Sequence, residues 1–173
     1  ILTANTFGAS RRKLGEDPAP YIAAGIAAAR RAAGEKRLVA LDAGPLGVLL
    51  EPFGEMSFEE AYRQFADIME VGERAGADLV LIETMSDLLE AKAALLAAKE
   101  RTSLPVFVTM TFGEDGRTFL GVDPAAAAVT LTSLGADGIG LNCSLGPEEL
   151  RPVLGEILRN TYLPVMIQPN AGL

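Results

Sequence analysis

Short apolar runs alternate with longer helical patterns along the whole chain, and this alternation constrains the fold more than any other feature. The runs are "ILTA", "RLVALD", "DLVLIE", "VFVTMT", "GIGLN" and "PVMIQ". Most are near-continuously apolar, as strands are when helices cover both faces of a parallel sheet. Between them lie "PYIAAGIAAARRAAGE", "SFEEAYRQFADIMEVGERAG", "SDLLEAKAALLAAKER", "DPAAAAVTLTSLG" and "GPEELRPVLGEILRN", rich in Ala, Leu and Glu at a spacing near 3.6. Ser57 with Glu60 predicts a capping box, and Asp123-Pro124 an N-cap followed by an N1 proline. Gly146-Pro147 opens the last helix, with Glu148 and Glu149 at its positive end. Gly34, Gly76 and Gly135 close helices. "FGEDGRTFLG" interrupts the alternation and predicts a small turn or hairpin over the sheet rim, with Asp115-Gly116 at its tip. "GADLVLIE" and "GADGIGLN" form a weak internal repeat of one βα unit.

Parallel strands joined by right-handed crossovers leave two architectures, an open doubly wound sheet and a (β/α)8 barrel. An open sheet concentrates its chemistry at one switch point, whereas a barrel brings every strand's C-terminal end to one mouth. Here nearly every strand ends on a polar residue: Asn5, Asp42, Glu83, Thr111, Asn142 with Cys143, and Asn170. The α/β class expected is therefore a TIM barrel. Such a barrel takes about 250 residues, so residues 1–173 are expected to be its central part, with both ends missing and the two edges of a six-strand segment unpaired.

Several function classes drop out. A net charge of -8 argues against nucleic-acid partners, which need a basic surface, and against anionic membranes. No apolar run approaches the ~20 residues of a membrane helix. The chain has 1 cysteine and 0 histidines. A lone thiol cannot form an internal disulfide, so a reducing, cytoplasmic setting is the expectation. Without histidine, Ser-His-Asp and Cys-His catalysis and His-ligated metals are excluded from this stretch. No glycine-rich phosphate loop is present; "GADGIG" lacks the required spacing.

The residues alone leave alternatives open. Cys143 is either a small packed residue at a strand end, or a thiolate facing the N-terminus of the next helix, fit to be a nucleophile or a metal ligand. As a zinc ligand it would need company, because catalytic zinc uses three protein ligands and one open position. Glu83, after "DLVLI", is costly to bury alone; it makes a structural ion pair, recognises an ammonium group, or acts as a general base. Asp42 is a loop cap or a site residue. Asn5 and Asn170 sit in Gly-containing turns.

Taken together, "TANTFGAS", "LDAGPLG", "ADLVLIETMSDLLEAKAAL", "MTFGEDGRTFLG", "GLNCSLGPEEL" and "QPNAGL" resemble the homocysteine S-methyltransferase family, in the right order and over essentially the whole chain. The closest likeness is to the homocysteine-binding barrels of the cobalamin-dependent members. The resemblance implies a TIM barrel that holds Zn²⁺ through three cysteine thiolates. The one that follows an asparagine corresponds to Cys143; the other two, an adjacent pair, are absent from the sequence. It implies that Glu83 holds the substrate amino group. Asn5, Thr6, Asp42 and Asn142 are further substrate-side candidates, and Asn170, expected beside Cys143 at the mouth, either supplies a neutral oxygen donor to the metal or only shapes the Pro-Asn-Ala-Gly turn. Where the family commonly has a hydroxyl residue this chain has Leu46, which puts polar contacts from that loop in doubt. The implied partners are homocysteine and a methyl donor, with the resemblance pointing to methylcobalamin carried by a partner module. Two other readings stand beside it: a catalytically silent barrel fragment or binding module, and another barrel enzyme using Glu83 as general base.

Overall fold

A computed structural model describes residues 1–171. Six parallel strands lie side by side in chain order: β1 (Leu2–Thr3), β2 (Val39–Ala43), β3 (Leu79–Met85), β4 (Val106–Met110), β5 (Gly138–Asn142) and β6 (Val165–Gln168). Helices fill the crossovers: α1 (Arg11–Leu14) and α2 (Ala19–Ala33) after β1, then α3 (Phe58–Arg74), α4 (Leu88–Arg101), α5 (Pro124–Ser133) and α6 (Pro147–Arg159). Sequential neighbours throughout, with no strand inserted out of order, are the arrangement of a partial (β/α)8 barrel rather than a doubly wound sheet. Among the described residues no helix is long and apolar enough to cross a membrane.

The near-continuous apolar runs conceal an alternation. Val39, Leu41, Val80, Ile82, Val106, Val108, Ile139 and Leu141 join the large core beneath the helices. Ala40, Leu79 and Leu81 form a second cluster with Phe107 and Met166 on the other face. Residues two apart share a face, so this inner face continues into Asp42, Glu83, Thr109 and Asn142 at the C-terminal strand ends. Apolar packing thus fills the barrel floor, and the polar groups stand at its mouth.

The predicted caps form. The Ser57 hydroxyl accepts from the Glu60 N–H at 3.2 Å, and Asp123 accepts from the Ala126 N–H at 2.8 Å. Gly34, Gly76 and Gly135 all take positive φ behind their helices. Of the turn or hairpin expected at Asp115-Gly116 the structure has the turn, and one short helix adds to the expected pattern. Residues 111–122 form no hairpin strands; the segment is a turn closed by Gly113 N–H to Arg117 O at 2.8 Å, with the Asp115 carboxylate accepting from the Arg117 N–H at 3.0 Å. A side chain that satisfies the turn's own backbone leaves no ladder for a hairpin. The short helix α1, unforeseen in the pattern, is capped by Ser10 and ends at Gly15 in the left-handed region.

Candidate functional site

Asp42 and Glu83 come from adjacent strands and meet at the mouth. Asp42 is buried, and burial together with the neighbouring Glu83 carboxyl, which hydrogen-bonds it, raises its pKa to about 8. Glu83 is also raised, by burial first, with the hydrogen bond from Asp42 opposing. Two carboxyls in a poorly hydrated contact cannot both ionise cheaply, so near neutral pH the pair retains one proton. Asp42 Oδ1 is buried with no protein donor. The pair is thus a half-neutralised anion with one oxygen, Asp42 Oδ1, unpartnered among the described residues, and Lys13 is the positive charge that opposes the rise of the Asp42 pKa.

Thr6 fixes the backbone of Asp42. Its hydroxyl donates to the Asp42 carbonyl at 2.8 Å and accepts from the Asp42 N–H at 3.0 Å. Asn5 does not join the cluster. It is exposed and lines a groove at the β1 edge with Tyr21, Ala24 and Gly25.

Two residues that the sequence reading missed complete the carboxyl side. Glu90, on α4, is buried and accepts from the Leu46 N–H at 2.6 Å. Burial lifts its pKa to about 7, against the pull of that N–H. The leucine in "DAGPLG" therefore packs in the core, while its backbone makes the loop's polar contact. Lys13, on α1, faces Glu90 and Asp42; burial lowers its pKa while these carboxyls oppose the shift. Its ammonium lies 4.9 Å from the Phe7 ring centroid. A glutamate inside the Ala/Leu stripe of α4 was the available signal for Glu90; nothing in the pattern placed Lys13.

The thiol side is built on left-handed backbone. Thr84, Cys143 and Ser144 have φ of 61°, 60° and 57°, a region uncommon for residues other than glycine and a genuine outlier for a β-branched one. Thr84 falls where the β3–β4 register shifts between Ile82 and Met85, a bulge beside Glu83. Asn142 binds this region together. Its Nδ2 donates to Thr84 Oγ1 at 2.8 Å and to Cys143 Sγ at 3.4 Å. The sulfur is partly exposed, and the Cys143 N–H donates to the Gln168 carbonyl at 3.0 Å. Asn142 itself is buried, with its side chain engaged by protein groups.

Asn170 lies beyond β6, and its N–H donates to the Leu145 carbonyl at 3.0 Å. That bond sets the residue beside Ser144 and Gly146 in a cleft of about 750 Å³. The last two residues of the "QPNAGL" motif lie outside the described residues. A second cleft, of about 470 Å³, opens over the mouth between Ser86, Thr111, Arg117, Phe119 and Ser144.

Cys143 is a soft, partly exposed sulfur with an N–H donor already oriented toward it, which suits one thiolate ligand of zinc. Among the described residues no group of three or more His, Cys, Asp or Glu could hold an ion. Cys143 alone would supply at most one leg of such a site.

Comparison with known proteins agrees with this architecture. The family model described as homocysteine S-methyltransferase matches residues 1–173. A methionine synthase of Mycobacterium leprae (strain TN) is 37% identical over 192 residues, covering 100% of this chain and 16% of that protein. A methionine synthase of Mycobacterium tuberculosis (strain ATCC 25618 / H37Rv) is 38% identical over 188 residues, covering 98% and 15%. The chain thus spans about a sixth of the length of these relatives. The crystal structure of the homocysteine methyltransferase MmuM from Escherichia coli, in its metallated form, superposes with a TM-score of 0.84 at 20% identity, over 98% of this chain and 66% of that one; this likeness carries the fold.

Proposed function

Because the chain belongs to the homocysteine S-methyltransferase family, we propose that it builds much of the pocket in which the homocysteine thiolate accepts a methyl group to give methionine. We read residues 1–173 as the central part of the barrel. The observation that carries this reading is the meeting, at one mouth, of an anionic carboxyl pair with an unpartnered Asp42 oxygen and a partly exposed thiol whose Asn142 neighbour also holds the residue after Glu83.

Glu83 and Asp42 bind the substrate ammonium. A cation arriving at the pair favours its doubly ionised form, so binding expels the shared proton and gives Asp42 Oδ1 its missing partner. Thr6 and Glu90 keep the β2 end and its loop in place while this happens. Cys143 contributes one thiolate to Zn²⁺, with two further cysteines from outside the chain. When bound, that ion keeps the homocysteine sulfur as a thiolate near neutral pH. Asn170, beside the Cys143 turn, is the neutral oxygen donor for the position that the substrate sulfur takes. The methyl donor that fits the resemblance is methylcobalamin on a partner module, recharged from methyltetrahydrofolate.

Calorimetry with homocysteine on the zinc-loaded full-length protein tests this. A charge-assisted contact contributes about 1.5–3 kcal/mol, so Glu83→Gln should weaken homocysteine binding roughly 10- to 150-fold and leave zinc in place. Unchanged affinity, or loss of zinc together with affinity, would overturn the assignment.

A further inference from the structure

We propose that Asn142 is a positioning residue that sets, through one side-chain amide, both the turn carrying Cys143 and the bulge that presents Glu83. The inference rests on the roles given above to those two residues.

β3 and β5 are not neighbours; β4 lies between them. The Asn142 amide spans that gap. Its Oδ1 accepts from the Thr84 N–H at 3.1 Å and from the Thr109 hydroxyl of β4 at 2.9 Å. Its Nδ2 donates to Thr84 Oγ1 at 2.8 Å and to Cys143 Sγ at 3.4 Å. The Thr111 hydroxyl donates to its carbonyl at 3.2 Å. A primary amide has two acceptor lone pairs and two N–H donors, and all four are engaged. With 3% of its surface exposed, Asn142 has nothing left to offer a ligand, so its influence on the reaction passes through what it holds.

What it holds is strained. Thr84 at φ 61° adopts a conformation that persists only when its surroundings over-determine it. The Asn142 amide supplies that constraint, gripping both the Thr84 N–H and its hydroxyl. Without the grip, Thr84 relaxes toward extended backbone and rotates the adjoining Glu83 away from Asp42. The same loss removes the N–H donor that orients the Cys143 sulfur, the kind of outer contact whose removal typically costs ~10- to 100-fold in metal affinity. One side chain thereby ties the substrate-binding carboxylate to the metal-binding thiolate.

The test uses the full-length protein, with homocysteine affinity read by calorimetry and zinc retention read by competition with a chelator. Asn142→Ala is expected to weaken both, each by about 10-fold or more. Adding Thr84→Gly should then separate the two. Glycine adopts positive φ at little cost, so Glu83 returns to place and homocysteine affinity recovers, while zinc retention stays low because the N–H···S contact is still missing. A general loss of stability would not divide in this way. If Asn142→Ala alone does not fold, the double variant is compared with Thr84→Gly alone and should differ from it in zinc retention only. Both properties unchanged in Asn142→Ala, or both recovering or both staying low in the double variant, would overturn the proposal. Glu83→Gln and Cys143→Ala serve as controls. If they leave homocysteine and zinc binding intact, the underlying reading fails; if they act as expected while the Asn142 variants do not, only this inference fails.

Discussion

The carboxyls of Asp42 and Glu83 face each other from adjacent strands β2 and β3, and burial together with the Glu83 charge pushes the Asp42 pKa up to about 8. The pair faces the mouth, one residue along β3 from the left-handed Thr84. Protonation state and substrate charge are therefore linked at this point.

Proton release follows from that linkage. Below pH 8 the free pair retains a proton, and an ammonium ligand favours its loss, so the pair's contribution to homocysteine affinity rises with pH until about 8. Asp42→Asn cannot release it. Calorimetry at pH 7 in two buffers of different ionisation heat should show the wild type expelling close to one proton more than Asp42→Asn. Equal proton release would mean that the pair does not meet the ammonium.

Glu90 gives a separate pH signature, in stability. Its pKa stands at about 7 in the fold against an ordinary 4.5. Over that interval the folded chain binds a proton that the unfolded chain releases. The stabilisation is complete below the ordinary value and is lost as pH rises through 7. Glu90→Gln keeps an oxygen for the Leu46 N–H without the charge. At pH 8.5 it should be more stable than wild type by up to about 3 kcal/mol, with the difference closing toward pH 5. Parallel melting profiles across this range would contradict the burial of an ionised Glu90.

Close strand packing makes Gly140 irreplaceable. A Cβ built there would lie 1.9 Å from the Met166 carbonyl oxygen of β6, against rigid backbone. Gly140→Ala should cost about 3 kcal/mol or more and separate β5, with its Cys143 turn, from β6. A denaturation midpoint equal to wild type would show that the two strands pack less closely than described.

The sequence read well where local chemistry decides the outcome. Helix boundaries followed from caps such as Ser57 and Asp123, and strand order followed from the βα alternation. The polar residue closing each apolar run marked the mouth. What escaped depends on register and burial. The pairing of Asp42 with Glu83 requires knowing how β2 aligns on β3, and the bulge at Thr84 sits inside a run that reads as continuous strand. Asn142, expected on the substrate side, is buried with its amide fully engaged. Asn5 faces an outer groove because β1 ends two residues before it. The Leu46 loop keeps its polar contact through backbone, which a side-chain motif cannot reveal.

The central claim is that the thiol at the end of β5 is a metal ligand, and zinc content tests it most directly. Elemental analysis of the purified full-length protein should give one zinc per chain in the wild type and almost none in Cys143→Ala, with the fold retained by circular dichroism. A folded Cys143→Ala protein that still carries one zinc per chain would contradict the account.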